Sequence, residues 1–283
     1  MAKTSGRRHG RTAVRLAAAA ITAALVGTGT SAFAATPGDA PLFGLTGLNS
    51  AGASYYYAPN GTGGLEGPVA FDSGWKDVTY VGRVDNNADS IADGRWQTDS
   101  KGNLLYAAND NSAAKNVGHG WGIYNKLLSA GNLGGAEAGD FLGRDTAGYL
   151  FLYLGYGDGT VTKRYTVGGG WGAYTQLAGN GDLTGDGKND IVARDKAGVL
   201  WLYKGTGNYK APFAARTKVG AGWNTYNTVF APGDIDLDGV TDLIGRDASG
   251  ALYLYTGTGN AAAPYKSRVK IGTGGWNTYR LLF

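Results

Sequence analysis

The 283-residue chain contains no cysteine, and its single methionine is the initiator. It therefore has no disulfide to stabilise it outside the cell. It carries neither a G-x-S-x-G nor an H-E-x-x-H motif, and His119 is its only histidine beyond the first ten residues. No segment is apolar for long enough to span a membrane. With so few groups suited to catalysis, we predict that the protein is not an enzyme.

Residues 1–34 have the order of a secretory signal peptide. The basic start MAKTSGRRHGRTAVRL is followed by the apolar run AAAAITAALVG and by the small residues SAFA, with cleavage expected before Ala35. The pair Arg7 and Arg8 also fits the twin-arginine route, but the next two residues are not apolar, which favours the general secretory route. We predict a secreted, extracellular protein without a membrane span.

The net charge changes when this leader is removed. The whole chain has a formal charge of +4, from 26 basic and 22 acidic residues. Residues 1–34 contain five of the basic residues and none of the acidic ones, so the rest of the chain has a net charge of −1. A chain so close to neutrality lacks the basic surface typical of nucleic-acid binding, and we predict no nucleic-acid partner.

Glycine is abundant instead, with 50 residues, and two aromatic motifs repeat along the chain. The first motif is Gly-Trp followed by tyrosine, and the second is a Gly-rich turn followed by an aromatic strand. The first has its Trp and Tyr at Trp75/Tyr80, Trp121/Tyr124, Trp171/Tyr174, Trp223/Tyr226 and Trp276/Tyr279. The second occurs at 51–57, 101–107, 147–153, 197–203 and 249–255. Both motifs therefore occur five times, about 50 residues apart.

The sequence of each repeat predicts four short strands. A D-x-x-G turn, at Asp145/Gly148 for example, separates the second strand from the third, because Asp favours the first turn position and Gly provides positive φ. Five repeats of four strands predict an all-β fold, a five-bladed β-propeller. We place a single propeller domain at 35–283. Its blades are expected at about 41–75, 76–121, 122–171, 172–223 and 224–276.

The two ends of the repeat region predict how the ring closes. The first repeat lacks the strand that opens every later one, whereas the last Gly-Trp motif is followed by a surplus strand, YRLLF. We expect residues 277–283 to pair into the first blade, which removes a free sheet edge. A closed ring of this kind is expected to be a monomer.

Acidic residues alternate along one loop of most repeats. Oxygen ligands stand at loop positions 1, 3, 5 and 9, with a backbone carbonyl expected at position 7. The predicted ligands are Asp234, Asp236, Asp238, Val240 and Asp242 in one loop, Asp182, Thr184, Asp186, Lys188 and Asp190 in a second, and Asp85, Asn87, Asp89, Ile91 and Asp93 in a third. The corresponding loop of the remaining repeat has Asn132, Gly134, Ala136 and Asp140, and has lost its central ligands.

These loops are either solvated turns or sites for a hard cation. Several carboxylates in one short loop repel one another and raise each other's pKa unless a cation lies between them. Ca²⁺ binds six to eight oxygen ligands of this kind. Three loops at the same point of a repeat favour calcium. We predict strong sites at 182–190 and 234–242 and a weaker one at 85–93, where Ser90 replaces the glycine of position 6.

The pattern D-x-D-x-D-G-x-x-D within a repeat that ends in an aromatic strand resembles the FG-GAP or VCBS repeat. That resemblance implies a calcium-bearing propeller like those of integrin α chains and secreted bacterial proteins. It covers residues 75–283, and Thr184 departs from the motif. The closing segment VKIGTGGWNTYRLLF is similar to the recurring segment of tachylectins, five-bladed lectins that bind N-acetylated sugars.

The function expected from these features is binding. Aromatic rings stack on sugar rings, and equivalent weak sites around a ring add avidity, so we predict a glycan or cell-surface polysaccharide as the ligand. A role for the same tryptophans in packing between blades remains open, as does an alternative function as a protein–protein module of a secreted complex. The candidate ligand contacts are Trp121, Tyr124, Trp171, Tyr174, Trp223, Tyr226, Trp276 and Tyr279.

Two further groups are assigned structural roles. Arg144, Arg194 and Arg246 each precede the aspartate of a D-x-x-G turn, and a recurring structural contact explains them better than catalysis. His119 lies in VGHGW, and we expect it at the surface or between blades. The regular placement of the aspartates in loops also argues against a carboxylate pair for glycoside hydrolysis.

Overall fold

A computed structural model describes residues 40–283, so the leader predicted at 1–34 lies outside the described residues. Within this range 20 strands form five antiparallel sheets of four strands each. The strands in chain order are β1 (Leu45–Asn49), β2 (Ser54–Tyr57), β3 (Val69–Asp72), β4 (Val78–Val84), β5 (Gly94–Asp99), β6 (Leu104–Ala108), β7 (Lys115–Gly118), β8 (Tyr124–Gly131), β9 (Asp140–Asp145), β10 (Leu150–Tyr153), β11 (Tyr165–Gly168), β12 (Tyr174–Ala178), β13 (Ile191–Asp195), β14 (Leu200–Tyr203), β15 (Thr217–Gly220), β16 (Tyr226–Gly233), β17 (Asp242–Asp247), β18 (Leu252–Tyr255), β19 (Val269–Gly272) and β20 (Tyr279–Leu282).

Each sheet is one blade of a propeller. Blade 1 has the strand order β20-β1-β2-β3, and blades 2 to 5 follow as β4–β7, β8–β11, β12–β15 and β16–β19. The prediction of an all-β, five-bladed propeller with four-stranded blades is confirmed. The helices within 40–283 are 3-10 turns at Trp121–Ile123, Trp171–Ala173, Trp223–Thr225 and Trp276–Thr278. None of them is long and apolar enough to cross a membrane.

The D-x-x-G turn connects the two repeated motifs. In blade 3, Oδ1 of Asp145 accepts a hydrogen bond from the backbone N–H of Tyr149 at 2.9 Å. Gly148 has φ 84°, and a Cβ on it would lie 2.7 Å from the backbone N of Gly172. The Gly148 carbonyl accepts the N–H of Trp171 at 2.9 Å. The same Trp-to-Gly bond recurs in every blade, at Trp75–Gly52, Trp121–Gly102, Trp223–Gly198 and Trp276–Gly250.

The tryptophan held in this way packs between two blades. Trp171 is only 6% exposed, and its ring lies in one core cluster with Leu152 of blade 3 and Ile191 of blade 4. Its ring centroid is 4.6 Å from that of Tyr203, whose hydroxyl bonds to that of Tyr174 at 2.5 Å. Three of the other four junctions have the equivalent ring pair, at Trp121–Tyr153, Trp223–Tyr255 and Trp276–Tyr57.

The last strand closes the ring. β20 pairs antiparallel with β1, with Leu282 opposite Gly47 and Leu281 opposite Leu48. The backbone of Phe283 continues the ladder, because its carbonyl accepts the N–H of Thr46 at 2.7 Å. The predicted closure of blade 1 by the C-terminal strand is confirmed. Blade 1 therefore combines strands that are more than 200 residues apart in the chain.

Deletion of residues 279–283 is expected to destabilise the protein severely and to cause aggregation. The deletion removes the inner strand of blade 1 and leaves β1 with an unpaired edge. Size-exclusion chromatography and thermal denaturation of the truncated chain measure both effects. A monomeric product with an unchanged melting temperature would contradict the closing role of β20.

Trp171→Ala is expected to lower the free energy of unfolding by about 3–5 kcal/mol, the range measured for large-to-small substitutions in cores. Trp201 provides a matched control, because it is only half-buried and lies under the guanidinium of Arg216, 4.1 Å from its ring centroid. Trp201→Ala should cost less. Denaturant unfolding of both variants tests the difference, and equal losses would show that Trp171 is not a wedge between blades.

Candidate functional site

The acidic loop of blade 5 brings three carboxylates together. It begins where β16 ends and finishes where β17 begins, so both of its ends are fixed in the sheet. Asp234, Asp236 and Asp242 each place an oxygen within 4.8 Å of the others, the single such acidic group among residues 40–283. Oδ2 of Asp236 accepts the hydroxyl of Thr256 at 3.0 Å. Its Oδ1 is buried and has no hydrogen-bond partner within that range.

Burial makes the ionised forms of this group unfavourable. Loss of hydration raises the pKa of Asp242 to about 7 and that of Asp234 to about 6, although both accept backbone hydrogen bonds that act in the opposite direction. Nearby carboxylates, Asp236 beside Asp242 and Asp238 beside Asp234, raise the two pKa values further. A cation at the centre of the group would relieve both the repulsion and the lost hydration.

Two other predicted ligands of this loop lie outside the group of three. Oδ1 of Asp238 accepts the backbone N–H of Val240 at 3.0 Å. Its Oδ2 lies 3.4 Å from Nζ of Lys266, in an exposed ion pair. Burial is also the main reason why the pKa of Asp238 is raised. A cation that recruits Asp238 must therefore displace the ammonium group of Lys266.

The loop at 182–190 is closed by its own backbone. Asp182 accepts hydrogen bonds from the N–H groups of Thr184 at 2.8 Å and Gly187 at 2.6 Å, one on each carboxylate oxygen. Asp186 accepts the N–H of Lys188 at 3.2 Å. Burial raises the pKa of Asp190 to about 7, and the charges of Asp182 and Asp186 add to the increase. The structure does not bring three carboxylates of this loop within the distance found in blade 5.

The loop at 85–93 has the same pattern with amide groups added. Asp85 accepts the N–H groups of Asn87 at 3.0 Å and Ser90 at 2.7 Å. Asp89 accepts the N–H of Ile91 at 2.9 Å, and the Asn87 amide bonds to Asp89 at 3.2 Å. Ser90 has φ 68°, a left-handed conformation that glycine would adopt without strain. The turn in this loop is therefore less favourable than one with glycine at the position of Ser90.

The aspartate at position 9 has a structural role that the sequence did not reveal. In blade 5, Asp242 accepts the N–H groups of Ile235 at 2.8 Å and Gly257 at 2.9 Å. Asp190 makes the equivalent bonds in blade 4. Asp140 does the same in blade 3 with Leu133 and Gly155, although that loop has lost its other acidic ligands. Retention of Asp140 in that loop was the available signal. This aspartate ties the loop to the hairpin beyond it.

The repeated aromatic residues proposed as ligand contacts are mostly committed to packing. A ring that is covered on both faces has no surface on which a sugar can stack. The buried members are Trp121, Trp171, Trp223, Tyr174 and Tyr226, and the half-buried ones are Tyr124, Trp276 and Tyr279. The three repeated arginines donate to backbone carbonyls and form no ion pair within 40–283. His119 is exposed and bonds to the side chain of Asn103 at 2.6 Å.

A polar pocket that sequence reasoning missed lies beside the loop at 85–93. It has a volume of about 520 Å³ and is lined by Asn86, Tyr106, Asp110, Lys115 and Asp158, among others. Asn86 donates to the hydroxyl of Tyr106 at 2.9 Å, and Oδ1 of Asn86 is buried without a partner within 40–283. The signal was present in the repeat, because both positions hold buried aliphatic residues in the other acidic-loop blades. Leu133, Leu183 and Ile235 occupy the repeat position of Asn86, and Leu152, Leu202 and Leu254 occupy that of Tyr106.

Comparison with known proteins identifies the repeat in part of the chain. Residues 182–245 match the sequence model of the FG-GAP-like repeat. No curated protein matches the chain. A similar solved structure is that of Prp20p from Saccharomyces cerevisiae, a protein described for its binding properties to Gsp1p and histones. It has 12% identity and a TM-score of 0.40, over 81% of this chain and 61% of that one, so this chain spans about three-fifths of its length. The chain is thus a five-bladed β-propeller that contains an FG-GAP-like repeat.

Proposed function

We propose that this chain is a secreted, calcium-binding propeller that acts as a binding module and not as an enzyme. The observation that carries the calcium proposal is the group formed by Asp234, Asp236 and Asp242, in which Oδ1 of Asp236 is buried without a partner. An unpaired carboxylate oxygen in a buried position is costly. A cation bound at this point would satisfy it and would balance the charge of its two neighbours.

The donor atoms favour calcium over other metals. All candidate ligands are carboxylate, hydroxyl, amide or backbone oxygens, and the described chain has no cysteine and only His119 as an imidazole. Hard cations prefer oxygen, and the tolerance of Ca²⁺ for irregular coordination fits a loop of this kind. The loop at 234–242 is the primary site. Those at 182–190 and 85–93 rank second and third, because neither brings three carboxylates within 4.8 Å of one another.

Calcium is expected to raise the melting temperature of the wild-type protein, and Asp236→Asn is expected to remove most of this increase. A ligand that binds only the native state stabilises it by about 2.7 kcal/mol at a hundredfold excess over Kd. Asparagine retains the shape of Asp236 and loses the charge. Differential scanning calorimetry in calcium and in EDTA, with calcium titration calorimetry, measures the change.

Asp140→Ala is the control for this experiment. It removes the acceptor of three backbone N–H groups in a loop without metal ligands. Each unsatisfied buried group costs about 1–3 kcal/mol, so the variant should be less stable than the wild-type protein. The loss of stability should be the same in calcium as in EDTA. If the wild-type protein melts at the same temperature in both solutions, the calcium proposal is wrong.

We further propose that the module binds glycans in the polar pocket and not at the buried aromatic motifs. The pocket offers amide, carboxylate and ammonium groups that can orient sugar hydroxyls, while the ring of Tyr106 is buried and its hydroxyl is bonded to Asn86. It also includes Asn87 and Asp93, which belong to the acidic loop at 85–93. A cation bound in that loop would therefore position part of the pocket, and glycan binding would depend on calcium.

A function in protein binding is supported by a different surface. β3 is the outer strand of blade 1, and its Val69 and Phe71 are 61% and 65% exposed. Three of the four other outer strands carry lysine, at Lys115, Lys218 and Lys270, whereas β3 has none and its one charged residue is Asp72 at its end. An apolar edge without a protecting lysine can receive a protein partner.

Lys115→Met is expected to reduce glycan affinity about tenfold, because a hydrogen bond to a charged group contributes about 1.5–3 kcal/mol. The substitution also breaks an exposed ion pair with Asp158, which contributes little to stability. Lys218→Met is the matched control, on the outer strand of blade 4 and away from the pocket. A glycan array with calcium and with EDTA is the measurement. Absence of any glycan ligand for the wild-type protein would favour the protein-binding alternative.

A further inference from the structure

A guanidinium group lies at four of the five junctions between blades. At each of these junctions it binds two backbone carbonyls of the Gly-Trp turn, that of the tryptophan and that of the third residue after it. The four contacts are Arg144 with Trp171 and Tyr174, Arg194 with Trp223 and Tyr226, Arg246 with Trp276 and Tyr279, and Arg280 with Trp75 and Val78. The guanidinium thus binds the carbonyls at both ends of the turn that follows the tryptophan.

The source of this guanidinium varies, but its position does not. Arg144, Arg194 and Arg246 occupy one register position on the second strand of their blades, opposite Lys126, Gln176 and Thr228 respectively. In blade 1 the same register position holds Leu48, and there Arg280 reaches the carbonyls from the inner strand instead. Two different routes therefore bring a guanidinium to the same pair of turn carbonyls.

The junction between blades 2 and 3 lacks it. The register position of the arginine is held by Thr98, opposite Tyr80. The short side chain of Thr98 bonds to the hydroxyl of Thr79 at 2.9 Å and cannot reach the turn. No hydrogen bond from a guanidinium to Trp121 or Tyr124 carbonyls is present within 40–283. The Trp121 carbonyl accepts the N–H of Tyr124, which leaves one of its two lone pairs free.

A cavity opens at this junction. It has a volume of about 430 Å³, continues into the centre of the ring, and is lined here by Thr79, Thr98, Asp99, Trp121 and Tyr124. The hydrogen-bond acceptors in this cavity match those around Arg194, which donates through Nε to the hydroxyl of Thr175 and through NH1 to two turn carbonyls. Thr79 occupies the same repeat position as Thr175. Asp99 adds a carboxylate to the lining.

Two cations also line the cavity, and both belong to other junctions. Arg83 is half-buried, and its guanidinium donates to the carbonyl of Gly44 and the hydroxyl of Thr46 in blade 1. Lys126 lies on the inner strand of blade 3, opposite Arg144. Neither supplies a donor to the turn at Trp121.

We propose that the cavity between blades 2 and 3 binds a guanidinium group supplied from outside the chain, either an arginine side chain of a partner or a small alkylguanidinium. A guanidinium can donate from one terminal nitrogen to both the Trp121 and Tyr124 carbonyls while its Nε–H reaches the hydroxyl of Thr79, as Arg194 does with Thr175 at its own junction. An ammonium group has a single nitrogen and cannot reach both places at once. This site is separate from the acidic loops and from the polar pocket, and it goes beyond the proposed function.

The test compares ligands and two substitutions at one position. Binding of methylguanidinium and of a short peptide containing a single arginine is followed by NMR titration, with methylammonium and the matching lysine peptide as controls. Thr98→Arg places an internal guanidinium at the vacant position and should abolish binding while raising the melting temperature. Thr98→Val keeps the cavity open and should bind as the wild-type protein does.

A reciprocal variant tests the same idea at another junction. Arg194→Thr removes the guanidinium from the junction between blades 4 and 5 and should lower the melting temperature. Added methylguanidinium should restore part of this melting temperature, and it should have no such effect at the wild-type junction between these blades. Binding of methylguanidinium alone would identify a small-molecule ligand, and binding of the arginine peptide would identify a partner's side chain. The proposal is overturned if neither binds the wild-type protein, or if Thr98→Arg binds either as tightly as the wild type.

Discussion

The insertion of one tryptophan between consecutive blades is the interaction on which the rest of the structure depends. The N–H of Trp171 bonds to the turn glycine Gly148, and its indole packs between Leu152 and Ile191 on the two facing sheets. Because the turn and the indole act together, each hairpin is positioned against the next blade. The same arrangement at every junction, completed by β20, gives a ring without disulfides.

This use of the aromatic residues determines where function can lie. The repeated Trp and Tyr side chains pack between the blades, and tyrosine hydroxyls bond to one another, as between Tyr174 and Tyr203. Binding groups must then come from the loops at the ends of the strands, or from places where one repeat departs from the others. Asn86 with Tyr106, and Thr98, are departures of that kind. Each replaces a residue that fills or closes the structure in the sister blades.

The acidic loops combine two tasks that a sequence motif does not distinguish. The aspartate at position 9, represented by Asp140 and Asp242, ties its loop to the neighbouring hairpin through backbone N–H groups. Asp236, at the third position of its loop, does not tie the loop to the hairpin in this way, and its Oδ1 has no hydrogen-bond partner within 40–283. The first task explains why an aspartate remains in blade 3 after the other ligands are gone. The second makes blade 5 the favoured calcium loop.

Periodicity within the chain alone determined the number of blades, the strands in each and the closure by the last strand, because turn and strand chemistry involve residues close in sequence. The same holds for the positions of the acidic residues. Only the tertiary structure decided which carboxylates meet, that Trp171 is covered by Tyr203, and that the Trp121 turn lacks its arginine. The meeting of the carboxylates depends on how one loop folds against the hairpin beyond it. The other two facts depend on contacts between blade elements about 30 residues apart, as for Tyr174 and Tyr203. The repeat pattern in the sequence does not show which of these residues come into contact.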